Sequence, residues 1–291
     1  MKYAYFPGCS RRSTGKEYED SAKSVCKFLD IELVELPDWN CCGSGDAIYS
    51  FKPLFSITLG ARNLAIAEKM QMDIVTPCNS CYFTLNRINK ILKENSDTKT
   101  KVNEALASLG FNYNGNTRVW HLASILLSDK VLQKIKETVR NQLTNLNVAS
   151  YYGCYLIRPP GICNFDDPEH PTRMDDLIET LGASKVDYYG KTRCCGSFLG
   201  ITNEKIALKM SKDILLSAKD AGADCLATAC AMCHINLDAR QKDIESRFDV
   251  KLNIPVLHFT QLIGLALGIE PKKIGLNRNC VSPRKILPLP I

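Results

Sequence analysis

The chain has 291 residues, enough for two domains of ordinary size that each bury a hydrophobic core. Its 45% hydrophobic and 23% charged residues exclude a disordered or fibrous class, and its modest net charge of +6, without a basic stripe, gives no reason to expect nucleic acid. The longest apolar runs fall far short of the roughly 20 residues of a membrane span. Because the N-terminus also lacks a secretory apolar segment, we expect a cytoplasmic protein that does not contact a membrane.

Strands and helices alternate along the first half of the chain, which predicts an α/β layer with a mainly parallel sheet. In chain order, the predicted elements are a strand at Tyr3–Phe6, a helix at Lys16–Leu29, a strand at Glu32–Leu36, a helix at Pro53–Met70, a strand at Ile74–Thr76 and a helix at Tyr82–Lys93. A loop at Asn112–Asn116 follows, and a further helical stretch runs from Lys130 to Val139. We expect the link to a second domain near Leu143–Val148.

The cysteines reveal an internal repeat. In the first half, Cys9 is followed after 31 residues by Cys41-Cys42-Gly43-Ser44 and after 35 more by Cys78-Asn79-Ser80-Cys81. In the second half, Cys154 is followed after 39 residues by Cys194-Cys195-Gly196-Ser197 and after 34 more by Cys230-Ala231-Met232-Cys233. Val119-Trp120-His121 is likewise repeated as Val256-Leu257-His258. The repeat predicts two tandem pseudosymmetric domains at 1–145 and 146–291, the second ending in a docked tail from Cys280 to Ile291.

The cysteines of each half follow predicted strands. Because ligands of open α/β sheets collect beyond the carboxyl ends of the strands, thiols that are distant in sequence are expected to converge at one edge of each sheet. Gly8, Gly43, Gly153 and Gly196 lie beside the cysteines, where they either permit tight turns and a close backbone approach or simply end strands.

Fourteen cysteines in a reducing compartment point to metal or catalysis rather than to disulfides. Each set has five thiols with one adjacent pair, which suits an iron–sulfur cluster better than a four-coordinate zinc ion, and zinc or redox disulfides remain the alternatives. The ferredoxin cysteine run is absent, so electrons are expected to come from partner subunits.

Other residues carry weaker signals. Cys26 and Cys225 are expected to be buried structural thiols, whereas Cys163 and Cys280 are secondary candidates for a site. His121 and His258 occupy matching positions where a strand meets a helix. Each either bonds a cluster sulfur and moves a proton, or merely begins a helix.

This duplicated cysteine pattern resembles the B subunit of heterodisulfide reductase from methanogenic archaea, a family with a duplicated CCG cysteine-rich domain. The resemblance covers nearly the whole chain, although the second repeat has one residue fewer before Cys-x-x-Cys than the family pattern. It implies a non-cubane [4Fe-4S] cluster in each domain, facing each other across the domain interface. The implied ligands are Cys9, Cys41, Cys42, Cys78 and Cys81 for one cluster, and Cys154, Cys194, Cys195, Cys230 and Cys233 for the other.

The resemblance further implies an oxidoreductase of methanogenesis that reduces the mixed disulfide of coenzyme M and coenzyme B to two thiols. It also implies that electrons reach this chain from subunits C and A. Those subunits in turn receive the electrons from a hydrogenase or a formate dehydrogenase. Both coenzymes are anionic, so Arg11, Arg12 and Arg158 are candidate substrate residues.

Two other functions compete with this one. Related CCG proteins serve as electron-transfer subunits of lactate or glycolate oxidases, or of thiol:fumarate reductase complexes. A zinc-stabilised assembly protein is the non-enzymatic alternative.

Overall fold

The computed structural model describes residues 1–12, 14–44 and 46–287, with the backbone alone at 11, 12, 46 and 47. These residues form two α/β units. The first unit contains, in order, β1 Lys2–Tyr5, α1 Lys16–Phe28, β2 Glu32–Glu35, α2 Asp46–Phe51, α3 Pro53–Lys69, β3 Ile74–Thr76, α4 Asn79–Glu94, α5 Ser96–Ala107, β4 Val119–His121, α6 Leu122–Leu126 and α7 Asp129–Thr138.

The second unit repeats the strand order with fewer helices. It contains β5 Asn147–Tyr151, α8 Arg173–Thr180, β6 Ser184–Val186, α9 Glu204–Asp220, β7 Cys225–Thr228, α10 Ala231–His234, α11 Gln241–Phe248, β8 Val256–His258 and α12 Phe259–Ala266. A turn of π-helix, Ile235–Ala239, joins α10 to α11.

Each unit is built on a four-stranded sheet in which every strand pair is parallel. The strand orders are β2-β1-β3-β4 and β6-β5-β7-β8, so equivalent strands take equivalent places. The prediction of two tandem α/β domains with small parallel sheets is confirmed. Because all strands of a unit run in one direction, their carboxyl ends share one edge of the sheet.

The predicted elements lie within a few residues of the observed ones, with one informative difference. The helix predicted at Tyr82–Lys93 begins three residues earlier, at Asn79, because Cys78 is extended (φ −126°, ψ 122°) and serves as the N-cap. Cys81 is therefore helical. The sequence does not predict two of the helices, α2 and α5. In α5 only Val102 and Leu106 are buried, which leaves too few apolar positions for a periodic signal.

The two units share their hydrophobic cores. One core joins Tyr5 and Val25 to Leu257 and Ile263, and α1 packs against α12 across the boundary. The other core also combines residues of both sheets. The division at 145/146 stays a prediction, but the shared cores indicate that the units are held firmly together.

The tail docks as expected, as far as it is described. Pro283 and Leu287 are buried, and the backbone N–H of Cys280 donates to Asp238 Oδ2 at 2.6 Å. The last four residues of the predicted tail, 288–291, lie outside the described part of the chain.

Candidate metal centre

The cysteines of both units lie at the carboxyl ends of the strands. Cys9 begins a short 3-10 turn after β1, and Cys78 caps α4 directly after β3. Cys230 caps α10 after β7 with the same extended backbone as Cys78 (φ −133°, ψ 123°). In both Cys-x-x-Cys segments, the first cysteine thus stands at the helix start and the second one turn inside it, which brings their thiols side by side.

The thiols of the first set are in mutual contact. Hydrogen bonds from Cys41 and then Cys81 hold the pKa of the Cys42 thiol well below its usual range, against the effect of burial. The Cys81 thiol also interacts with the Cys78 thiol. Cys9 lies close enough to Cys41 to affect the pKa of Cys41 electrostatically. Cys9 and Cys41 are exposed, whereas the other three are buried. The structure therefore brings the five predicted ligands of the first set together.

The second set repeats this arrangement. The Sγ atoms of Cys195 and Cys233 are 3.5 Å apart. The Cys233 thiol also interacts with the Cys230 thiol. A hydrogen bond from Cys154 lowers the pKa of Cys194 to about 6. The Gly196 N–H also donates to Cys194 Sγ at 3.3 Å. The shorter spacing before Cys-x-x-Cys has not disrupted this set.

The two sets meet at the interface between the units. The Cys230 thiol lies close enough to Cys78 to raise the pKa of the Cys78 thiol well above its usual range, which links one set to the other. Nearby, Asn79 Nδ2 donates to the Tyr152 carbonyl at 2.8 Å, and Tyr18 Oη donates to the Ala229 carbonyl at 2.9 Å. The carboxyl edges of the two sheets thus face each other, with sulfur on both sides.

Two glycines shape the backbone beside these sulfurs. Gly8 (φ +75°) and Gly153 (φ +70°) adopt a left-handed conformation that disfavours other residues. A Cβ atom would lie 3.2 Å from Cys81 Sγ at Gly8 and 3.3 Å from Cys233 Sγ at Gly153. The expectation of tight turns and close approach is confirmed at both positions, and both glycines keep space free for the sulfur centre.

The donor set suits a metal cluster. Among the described residues, no lysine or arginine side chain hydrogen-bonds to any of the ten thiols, so the closely packed thiolates need cations from elsewhere. Soft thiolate ligands select iron–sulfur clusters, zinc or Cu(I). Neighbouring sulfurs at 3.5 Å also approach the roughly 3.8 Å edge of a zinc tetrahedron, but a fifth thiol exceeds the four that structural zinc uses.

His121 ends β4, and its ring lies edge-on to that of Tyr82 with centroids 5.7 Å apart. It is fully buried, and its Nδ1 accepts a hydrogen bond from the Ala123 N–H at 3.0 Å, so Nε2 carries the proton. Nε2 has no hydrogen-bond partner among the described residues, although it lies near Ala229 and Cys230 of the second unit. Burial lowers the pKa of His121 to about 4, which keeps the ring neutral.

His258, its counterpart, belongs to a larger network. Its Nε2 lies 3.3 Å from Glu17 Oε1, and His234 Nδ1 lies 3.5 Å from the same oxygen. His234 Nε2 also contacts the Val256 carbonyl at 2.9 Å. Burial lowers the pKa of each histidine to about 3.

The ligand atoms of Glu17, His234 and His258 lie within 4.8 Å of one another, close enough to suggest a metal site. The two imidazole rings, however, are stacked with centroids 4.2 Å apart and planes only 23° from parallel. An ion bound to both nitrogens could not lie in both ring planes. The geometry therefore favours a hydrogen-bonded network.

The remaining predicted residues have mixed outcomes. The side chains of Arg11 and Arg12 lie outside the described part of the structure. Arg158 Nη2 is paired with Glu169 Oε2 at 2.9 Å, and this ion pair competes with an anionic substrate.

The four other cysteines lie outside both sets. Cys26 and Cys225 are buried as expected, and Cys163, also buried, donates to the Tyr155 carbonyl at 3.2 Å. Burial raises the pKa of Cys26 and Cys163 to about 12, so neither thiol readily becomes a thiolate. Cys280 is exposed.

Sequence reasoning missed Glu17 and His234. His234 follows Cys233 directly, where the first repeat has Tyr82, and this difference was the available signal. Glu17 gave none, because it enters from α1 of the other unit.

Comparisons with known proteins place the chain in a family. A family model for a CCG cysteine-rich domain matches residues 3–86 and 148–238. A Wolinella succinogenes protein named 8-methylmenaquinol:fumarate reductase membrane anchor subunit is 34% identical over 98% of this chain and 99% of its own length. Among the described helices, none is long and apolar enough to cross a membrane.

Two archaeal proteins are equally similar. The B subunit of a ferredoxin/F420H2-dependent CoB-CoM heterodisulfide reductase from Methanosarcina acetivorans is 34% identical over 97% of this chain and 94% of that protein. An Archaeoglobus profundus protein, named for its likeness to the B subunit of heterodisulfide reductase, is 34% identical over 98% and 96%.

A crystal structure of a hypothetical protein from Helicobacter pylori shares the fold, with a TM-score of 0.77 at 15% identity. The match covers 97% of this chain and 52% of that one, so this chain spans about half its length. With the domain present twice and these full-length relatives, the chain belongs to the CCG cysteine-rich domain family, in the group that includes the heterodisulfide reductase B subunits.

Proposed function

We propose that this protein is the catalytic component of a disulfide reductase that splits the mixed disulfide of coenzyme M and coenzyme B into two thiols. The observation that carries the proposal is the meeting of two five-cysteine sets at one interface, linked through Cys78 and Cys230. The archaeal relatives named as heterodisulfide reductase B subunits support the choice of substrate.

The reaction consumes two electrons and two protons and breaks one S–S bond to give two thiols. Each cysteine set would hold one non-cubane [4Fe-4S] cluster, and such clusters supply electrons one at a time when bound. The chain's own contribution is to hold the two sets face to face across a buried interface, so that both can address one S–S bond. Gly8 and Gly153 keep the backbone close to each set without filling it.

The histidines are proposed to act differently. Because Nδ1 of His121 already accepts a hydrogen bond, its Nε2–H is the donor that faces Ala229 and Cys230 across the interface. It would stabilise negative charge on sulfur there. His258 Nε2 already faces the Glu17 carboxylate, which orients its ring and makes it a positioning residue.

Electrons are proposed to arrive from partner subunits. The relatives are named as subunits of reductases, and this chain has no ferredoxin-type cysteine run. By analogy with the family, the partners are subunits C and A, with a hydrogenase or a formate dehydrogenase upstream. Methanogenesis and a cytoplasmic location belong to the same proposal.

A second candidate function is electron transfer within a fumarate reductase complex. The relative from Wolinella succinogenes favours it, because that match spans 98% of this chain. A lactate or glycolate oxidase complex is a weaker alternative, because none of the relatives described above carries such a name.

The test begins with anaerobic purification of the complex and analysis of its iron, sulfide and zinc. We expect about four iron atoms and four sulfides per cysteine set and an electron paramagnetic resonance signal that changes when the mixed disulfide is added. Zinc without iron or sulfide would support the assembly-protein alternative instead.

The substrate is then tested by turnover. Oxidation of a reduced dye by the mixed disulfide supports the proposal. Turnover with a quinol and fumarate, or with lactate or glycolate, but not with the disulfide, would contradict it.

A further inference from the structure

A row of aromatic side chains crosses the interface beside both cysteine sets, with one arginine inside it. The guanidinium of Arg87 lies 4.0 Å from the Tyr49 ring centroid and 5.1 Å from that of Phe83. Phe83 stacks on Tyr155 of the second unit at 4.2 Å, and Tyr155 lies 6.1 Å from Phe198. We call these five residues the aromatic ladder.

The ladder is close in sequence to one cysteine of each set. Phe83 lies two residues after Cys81, and Tyr155 directly follows Cys154. Phe83 and Arg87 are four residues apart in α4 and so share one helix face, which looks across the interface toward Tyr155. Through Phe83, Arg87 is therefore part of the contact between the two units.

The charge of Arg87 is not neutralised by the described residues. Its Nε is buried without a hydrogen-bond partner, and no carboxylate in the described part of the chain forms an ion pair with it. A guanidinium presents five N–H donors, and burial of the unpaired Nε–H is costly, whereas the two Nη groups are not among the buried unpaired atoms. Two ring faces hold the group in place, but they satisfy none of those donors.

The second repeat supplies an internal comparison. Arg87 lies six residues after Cys81, and Arg240 lies seven residues after Cys233, because the π turn Ile235–Ala239 adds one residue to that helix. Arg240 is paired with Glu204 and lies 3.7 Å from Asp243. Of the two equivalent arginines, Arg87 is thus the one that the described carboxylates leave uncompensated.

A mainly apolar groove is formed by sequence neighbours of Tyr49 in α2 and α3. Phe51 and Phe55, close to Tyr49 in sequence, are exposed and line a groove of about 300 Å³ together with Ile48 and Lys52. An anionic group suits the uncompensated arginine, and a methylene chain suits the exposed apolar side chains near Tyr49 in sequence.

We propose that Arg87 binds the anionic group of the disulfide substrate, a sulfonate, phosphate or carboxylate, through the N–H donors that the ladder leaves free. Tyr49 and Phe83 position the guanidinium for this contact, and Arg240 has no such role because carboxylates occupy it. The inference rests on the proposed function for the identity of the substrate.

The test compares Arg87→Gln, Arg87→Lys and Arg240→Gln in the complete, iron-loaded complex. Arg87→Gln is expected to raise the KM for the mixed disulfide about tenfold or more with kcat nearly unchanged, because loss of one charge-assisted contact weakens binding uniformly. Arg87→Lys should raise this KM about threefold, since lysine keeps the positive charge but lacks the paired N–H donors of the guanidinium. Arg240→Gln should behave like the wild type.

An Arg87→Gln variant with full iron content and the KM of Arg240→Gln would overturn the inference. Should Arg87→Gln fail to assemble, Arg87→Lys tests the inference instead. An unchanged KM in Arg87→Lys would contradict the role of the paired guanidinium N–H donors. Coenzyme M alone and coenzyme B alone, each titrated as an inhibitor, then show whether the sulfonate or the phosphate and carboxylate arm is bound, because only the arm bound by Arg87 loses affinity in the variant.

The outcome also separates this inference from the proposed function. If the wild-type complex does not reduce the mixed disulfide, the proposed function fails. Binding of coenzyme M or coenzyme B, followed by electron paramagnetic resonance, then tests Arg87 directly. Binding to the wild type and not to Arg87→Gln supports the inference, whereas equal binding or none overturns it.

Discussion

The two repeats share a ligand frame and differ in what surrounds it. Each places its cysteines at the carboxyl ends of a parallel sheet, yet Cys9 and Cys41 are exposed in the first repeat while Cys154 and Cys194 are partly buried in the second. Among the described residues, no carboxylate pairs with His121, whereas its counterpart His258 contacts the Glu17 carboxylate of the other unit. The two repeats thus share their cysteines but differ in the polar groups around those cysteines.

The helices after Cys-x-x-Cys show the same divergence. In the first repeat, α4 runs unbroken from Asn79 to Glu94. In the second, α10 passes through a π turn into α11, and this turn carries Asp238, whose pKa burial raises to about 7. Such π turns frequently occur at functional sites. The helices that follow the matching ligands therefore differ in shape and in the buried carboxyl that one of them carries.

The largest expected effect comes from removing one buried ligand in each repeat. Cys42→Ala and Cys195→Ala should each lose the cluster of their own set, about half of the bound iron, and lower reductase activity at least about 100-fold, because both electrons are needed. Iron and sulfide analysis with turnover assays measures this. Cys280→Ala, at an exposed cysteine outside both sets, is the control with full iron. Full iron in both ligand variants would contradict the assignment.

The network around His258 distinguishes the second repeat from the first. Glu17→Ala should lower the free energy of unfolding by about 3 kcal/mol, because it leaves the buried His258 N–H without an acceptor. Glu17→Gln retains an acceptor oxygen and should recover most of this loss. Urea denaturation measures both, with Glu94→Ala at an exposed ion pair as the neutral control. Equal destabilisation by the two Glu17 variants would show that the carboxylate charge matters instead.

The isolated histidine of the first repeat predicts acid sensitivity. The folded pKa of His121 is about 4, below the ordinary 6.5, so its stability contribution is complete above pH 6.5 and declines as the unfolded chain takes up the proton at lower pH. Between pH 7 and pH 5 this amounts to about 2 kcal/mol. His121→Asn, which keeps an acceptor for the Ala123 N–H, should lose less stability over that interval in urea denaturation. An identical pH slope in both proteins would exclude His121 as the source.

The smallest expected effect concerns the two glycines. Gly8→Ala and Gly153→Ala each put a residue with a Cβ atom at a left-handed backbone position, which should lower the free energy of unfolding by about 1 kcal/mol. Each also places that Cβ atom near a ligand sulfur. Gly110→Ala has a similar φ of +72° and no neighbour within 4 Å, so it measures the backbone strain alone. Only the first two variants should alter the electron paramagnetic resonance spectrum. A change in Gly110→Ala would show that the effect is global.

The sequence by itself predicted most of the framework. The alternation of strands and helices indicated the parallel sheets, because side-chain periodicity and turn residues are local properties of the chain. The repeated cysteine order indicated the two sets, since parallel strands bring their carboxyl ends to one edge whatever their separation in sequence. It missed α2, which is only six residues long, and α5, in which only Val102 and Leu106 are buried.

Only the tertiary structure decided how the two units combine. No periodicity in the chain indicates that Cys78 meets Cys230, that Glu17 reaches His258, or that Arg87 lacks the carboxylates that surround Arg240 in the described structure. These contacts join segments from different units or different helices, and they depend on how two sheets pack over shared cores. Local sequence preferences act within a few residues, whereas packing across an interface is set by the shapes of both partners at once.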